Sequence, residues 1–189
     1  MFYIAFLRGI NVGGNRKVEM KRLKVLFEQL GLSEASTYIN SGNIIFFDKS
    51  HSKEQLVQIL EKSIQEEFGF FVKVVLRSFA EIKAINAALP NNLVNDSTMK
   101  CDVMLLSEET DSPEILSQLI IKEEIDSVKY VKGAILWSVE RKNVTRSGML
   151  KLVGTKLYKE MTIRNSNTMR KLLSLLEANS ASLKPLLPR

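Results

Sequence analysis

Eleven residues, Leu7-Arg8-Gly9-Ile10-Asn11-Val12-Gly13-Gly14-Asn15-Arg16-Lys17, combine three glycines, two asparagines and three cations. Glycine reaches positive φ without a Cβ penalty, so such a loop can turn backbone N–H groups toward an anion. Arginine can fork onto a phosphate, and lysine adds a point charge. The chemistry expected here is anion recognition by Arg8, Gly9, Asn11, Gly13, Gly14, Arg16 and Lys17. The spacing is neither the G-x-x-x-x-G-K-[ST] of a P-loop nor the G-x-G-x-x-G of a dinucleotide-binding turn.

Two further constellations carry polar groups at element ends. Asn40-Ser41-Gly42-Asn43 has the composition of a tight hairpin, and Asn40, Ser41 and Asn43 also suit a base edge or a sugar hydroxyl. Arg164-Asn165-Ser166-Asn167-Thr168 precedes the last apolar-periodic segment. Asn165 or Asn167 is a natural N-cap there. Arg164, just before the cap, is placed to meet an anion at the helix start. Arg146 and Ser147 open the preceding segment in a similar way. Arg146, Ser147, Arg164, Asn165, Asn167 and Thr168 are therefore a second candidate group.

Other chemistries are disfavoured by what the chain lacks. One histidine, His51, and one cysteine, Cys101, offer no metal cluster and a poor nucleophile–base pair. No G-x-S-x-G elbow occurs. No cofactor is indicated. The lone cysteine excludes an internal disulfide, which fits a cytoplasmic address. Met1 leads straight into a short strand-like run, so no signal peptide is expected. No apolar run approaches the roughly 20 residues of a membrane span, and no membrane partner is expected.

Charge is distributed unevenly along the 189 residues, whose formal net charge is +6. Residues 1–129 hold 15 Lys/Arg against 18 Asp/Glu, whereas residues 130–189 hold 12 against 3. The acidic part has its own basic island in Arg8, Arg16, Lys17, Lys21, Arg22 and Lys24. Positive charge in the first loop and the last third favours an anionic partner, a small phosphorylated molecule or nucleic acid.

The elements that must hold these residues follow from periodicity. Phe2–Leu7 reads as a buried strand. Leu23, Leu26, Phe27 and Leu30 form one helical face that Gly31 stops. Ser36–Asn40 and Ile44–Phe47 form a hairpin. Ser52 with Gln55 makes a capping box for a helix ending at Gly69. Phe70–Leu76 is the next strand, and Ser78 with Glu81 opens a helix that Pro90 closes. The order then repeats: strand Cys101–Leu106, a helix from Ser112-Pro113 through Ile120, and a hairpin of Val128–Val131 with Ala134–Val139. A helix from Ser147 to Tyr158, a short strand at Thr162–Arg164 and a last helix with Met169, Leu172, Leu173 and Leu176 on one face complete it. Phe46, Phe47, Phe70, Phe71 and Trp137 read as strand and core residues.

The β-α-β-β-α-β order is that of the ferredoxin-like split unit. The expected class is α+β: two ferredoxin-like (α/β plait) units in tandem, each an antiparallel sheet with helices on one face. The boundaries are residues 1–90, a linker at 91–98, residues 99–178 and a tail at 179–189.

Leu7–Gly14 (LRGINVGG), Tyr38–Asn43 (YINSGN) and Met161–Thr168 (MTIRNSNT) occur in this order. With them the chain resembles, over roughly residues 2–178, the bacterial family catalogued as domain of unknown function 1697. The resemblance implies two ferredoxin-like units and no settled activity. Ser166 departs from the aromatic residue the family often has between the two asparagines. The functional expectation is binding of a phosphate-bearing anion, with nucleic acid among the ligands. The competing expectations are an enzyme acting on a small phosphorylated or carboxylated substrate, and a structural or oligomerising protein. Oligomeric state is left open.

Overall fold

A computed structural model of the chain describes residues 1–14, 16–91 and 94–182. Asn15 of the opening loop, Asn92 and Leu93 of the expected linker, and 183–189 of the expected tail lie outside the described residues. Two compact units are present. One comprises Met1–Phe79 with the chain from Lys171, and the other comprises Ala80–Arg170. The sequence boundaries at 90 and 99 follow composition, whereas compactness groups most of the helix after Phe79 with the second unit.

The first unit runs β1 (Phe2–Leu7), α1 (Met20–Gln29), β2 (Ser33–Tyr38), β3 (Asn43–Phe47), α2 (Lys53–Phe68) and β4 (Val74–Ser78). Its antiparallel sheet has the order β2-β3-β1-β4, the ferredoxin-like arrangement. Ile4 lies between Ile45 of β3 and Arg77 of β4. Tyr3, Ala5 and Leu7 alternate onto the face that meets Leu23, Phe27, Leu56, Leu60 and Ile64 of the two helices. Phe46 stacks on Tyr3 and meets Phe27 edge to face. All six residues of β1 are buried, so this strand is covered on both faces.

Local chemistry explains the element ends. Ser52 and Gln55 form the reciprocal capping box of α2, and Gly69 ends that helix at φ +79°. Phe70 and Phe71 fall outside β4, contrary to the sequence reading. Phe70 packs partly buried against the core, and Phe71 is exposed. The apolar run there is a connection after Gly69, with only Val72 fully buried, before the paired strand begins.

The second unit runs α3 (Phe79–Ala88), β5 (Met99–Leu106), β6 (Asp126–Val131), β7 (Ala134–Glu140), α4 (Met149–Leu152), α5 (Lys156–Lys159), β8 (Met161–Asn165) and the start of α6 (Ser166–Ser182). Its sheet order, β6-β7-β5-β8, repeats that of the first. Met104, Leu106, Ile135 and Trp137 form its core with Met149, Leu152 and Met161.

Two expected helices differ. The segment after Ser112 is a 3-10 helix over Pro113–Gln118, and the stretch 147–158 is broken into α4 and α5. Gly154 at φ +88° separates the two pieces. Segments this short fall below the length at which helix propagation offsets nucleation, so packing of Ile115, Met149 and Leu152 decides their shape. The described end of the expected linker is well fastened. Asn95 exchanges two bonds with the Asn167 amide, and Asp96 accepts from Thr98 and Met99.

Candidate anion-binding cleft

The opening loop leaves β1 under firm backbone control. Leu7 N donates to Gly42 O at 2.8 Å and Arg8 N to Lys73 O at 3.0 Å. Gly42 sits at φ +75°, and a Cβ there would lie 2.7 Å from Leu7 Cβ and 2.8 Å from Ile10 Cδ1. Glycine is thus demanded twice, by conformation and by contact.

Asn11 organises the next turn. Its φ is +55°, a region asparagine tolerates. Its N–H donates to Arg16 O at 3.1 Å, closing the excursion between them. Its carboxamide accepts from Val18 N at 2.9 Å and donates to Val18 O and Asn40 O at 3.0 and 2.9 Å. The Asn11 amide is therefore a brace that ties the loop to the 39–42 turn. Gly13 and Gly14, at φ +61° and +79°, are exposed with open space around them.

Beyond Lys17 the chain buries Val18 and enters α1. Glu19 occupies the cap position, but its side chain makes no capping bond, and no acid lies in the first turn. The first-turn N–H groups of this helix therefore receive no side-chain capping bond, and Glu19 is the one acid beside them. A cleft of about 640 Å³ opens here, lined by Asn11, Gly14, Lys17, Glu19, Met20, Arg22, Asn40 and Phe68. Its volume falls within the usual range of small-molecule sites. Arg22 bonds the Glu67 carboxylate through Nε and the Glu67 carbonyl through Nη2, with its guanidinium 5.3 Å from the Phe68 ring centroid. Lys17 is exposed and makes no ion pair among the described residues.

The structure thus gathers Asn11, Gly14, Lys17 and Asn40 around one space. Arg8, Gly9, Gly13, Arg16 and Ser41 are not among the lining residues. Asn43 is buried and donates to Tyr38 O and Ser41 Oγ, which makes it a turn brace. Arg22, Met20 and Phe68 were not singled out from sequence. Arg22 belonged to the basic island, and Phe68 carried only the signal of a helix core face.

The second candidate group is arranged differently. Arg164 is buried and donates through Nη1 to Thr162 Oγ1 and Ile163 O, both at 2.8 Å. Burial pulls its guanidinium from 12.5 down to about 10, so it stays charged at neutral pH. It is not presented to solvent at the helix start, as the sequence reading expected, because that strand position is covered. Asn165 caps α6 by accepting from Thr168 N at 2.8 Å, and Thr168 is itself buried. Asn167 pins Asn95. Ser147 is buried and donates to Asp126, whose other oxygen accepts from Gly148 N and Lys122 N at 2.9 Å each. Burial opposes ionisation of Asp126, but the bond from Ser147 and the two backbone N–H bonds outweigh it and hold its pKa below the ordinary value. Of this group, Arg146 is exposed and makes no side-chain hydrogen bond or ion pair among the described residues.

Residues 1–137 match the family model described as "Protein of unknown function (DUF1697)". The chain belongs to this family. The DUF1697 match takes in the whole cleft and ends within β7, before the Met161–Thr168 segment. A solved structure, that of conserved bacterial protein SP0830 from Streptococcus pneumoniae, is similar across nearly the whole chain. It is 30% identical, has a TM-score of 0.79, and covers 93% of this chain and 98% of that one. No curated protein matches. No helix among the described residues is long and apolar enough to cross a membrane.

Proposed function

We propose that this DUF1697 protein binds a phosphate-bearing anion in the cleft of its first unit. One observation carries the reading. A single cavity brings together the Lys17 ammonium, the exposed Gly14 backbone and the uncapped first turn of α1. Each favours negative charge, and together they resemble the donor set that anions meet at helix starts. Glu19 is the one carboxylate among the described lining residues, and no histidine or cysteine lines the cleft. That composition favours binding over nucleophilic or general acid–base chemistry.

The test is a thermal-shift screen with pyrophosphate, sugar phosphates, nucleotides and short RNA and DNA, on the parent and on Lys17→Ala. A ligand at about 100 times its Kd stabilises the folded state by about 2.7 kcal/mol, a shift of several degrees for a unit this size. The parent should respond to phosphate-bearing ligands and the variant much less. Identical responses of parent and variant to every ligand would overturn the assignment.

A further inference from the structure

Arg22 lines the same cleft. Its guanidinium is fastened at two points, to the carboxylate and to the backbone carbonyl of Glu67, and lies against the Phe68 ring. Glu67 compensates its charge, so Arg22 adds little to the attraction of an anion. What it adds is a flat guanidinium, held at two points by Glu67, in the cleft that Lys17 also lines. A fixed guanidinium plane is a stacking surface for a nucleobase, as arginine provides in many nucleic-acid sites. Because Glu67 already bonds the fork at two points, part of the side-chain ordering that stacking needs is present before a ligand binds. Asn40 lines the same cleft and uses its backbone carbonyl, rather than its carboxamide, to hold Asn11. That carboxamide is available to pair with a base edge or a ribose hydroxyl. The cleft volume suits one nucleotide unit.

We infer that the ligand is a nucleoside phosphate, with its phosphate toward Lys17 and its base stacked on the Arg22 guanidinium. This rests on the phosphate-binding reading above and adds the base. The source is either a free nucleotide or the end of an RNA chain.

The experiment measures the affinity of the full chain for adenosine 5′-monophosphate, ribose 5-phosphate and pyrophosphate by calorimetry, in the parent and in Arg22→Lys. Lysine keeps the charge and removes the plane. A stacked base is worth roughly 5- to 150-fold in affinity. The parent should therefore prefer the nucleotide over ribose 5-phosphate by a ratio in that range. Arg22→Lys should bring that ratio close to one, lowering the nucleotide affinity by more than the ribose 5-phosphate affinity. Equal affinities for the two in the parent, with pyrophosphate still bound, would overturn the base assignment and leave the phosphate reading intact. An unchanged ratio in the variant would also overturn it. Failure of all three ligands to bind would overturn both. A 5′-phosphorylated oligoadenylate binding more tightly than the monophosphate assigns the source to RNA, and equal binding assigns it to the free nucleotide.

Discussion

The first strand of each unit ends in the same backbone arrangement and then does opposite things. In the first unit Leu7 N bonds Gly42 O, and Arg8 N bonds Lys73 O. In the second, Leu106 N bonds Gly133 O and Ser107 N bonds Glu160 O. The hairpin glycine and the residue immediately before the last strand recur at matching places. From there the first unit proceeds through Gly9, Asn11, Gly13, Gly14, Arg16 and Lys17. The second proceeds through Glu108, Glu109, Asp111 and Ser112. Asp111 folds back to accept from Tyr130 OH at 2.9 Å and Gly133 N at 2.8 Å, with Lys132 Nζ 2.8 Å from its other oxygen. The second unit thus fills this corner with its own carboxylate. The first braces it with a neutral carboxamide, leaves Arg16 and Lys17 exposed and opens a cleft. The anion site proposed for the first unit would be the counterpart of this internal carboxylate in the second.

Removing an internal anion of the second unit should have the largest effect. Asp126→Ala strips a buried acceptor from Ser147 Oγ, Gly148 N and Lys122 N together. Two buried donors and a third, part-buried one left without a partner should cost about 3–5 kcal/mol, measurable by urea denaturation. No space exists for a compensating shift at Gly148, where a Cβ would lie 1.6 Å from Ile120 O. A loss under about 1 kcal/mol would mean that these donors find other partners and that the second unit does not depend on its own carboxylates.

The next largest effect belongs to the brace of the first unit. Asn11→Ala removes a carboxamide that makes three bonds and leaves a non-glycine residue at φ +55°. A loss of about 2–3 kcal/mol is expected from the bonds and the backbone strain together. The stabilisation by pyrophosphate should fall with it, because Gly14 and Lys17 are held by the loop that Asn11 closes. Retention of the full pyrophosphate response would separate the cleft from its brace.

The repeat was legible because its signals are local. The Ser52–Gln55 box, Gly69, the Lys132-Gly133 turn and the alternation in β1 each act within a few residues. The broken segments of the second unit were not legible, since Ile115, Leu116 and Leu119 have helical spacing and only the tertiary packing selects a 3-10 turn. The candidate cleft was half legible. Gly14, Lys17 and Asn40 announced themselves by type. Arg22 and Phe68 did not, because their pairing joins the start of α1 to the end of α2. Arg164 misled for a related reason: its neighbours in sequence say helix cap, and its burial depends on which face of β8 is covered.

Acid supplies the smallest and most selective perturbation of the contrast between the two corners. Asp111 has a pKa below its ordinary 3.8; burial alone would raise it, but the bonds from Lys132, Gly133 and Tyr130 outweigh that. A carboxylate with a depressed folded pKa contributes stability that is present above the unfolded value and is lost as pH falls through the folded one. Asp126 behaves in the same direction. Stability should therefore decline as pH is lowered below about 4, and part of that decline belongs to Asp111. Asp111→Asn keeps one acceptor for Gly133 and Tyr130 and cannot be protonated in this range. It should cost about 1 kcal/mol at pH 7, since Lys132 is exposed and its ion pair is screened. Its urea midpoint should then fall less than that of the parent between pH 7 and pH 3. Parallel declines in parent and variant would show that the Asp111 corner contributes nothing to acid sensitivity, and the internal-anion account of the second unit would then rest on Asp126 alone.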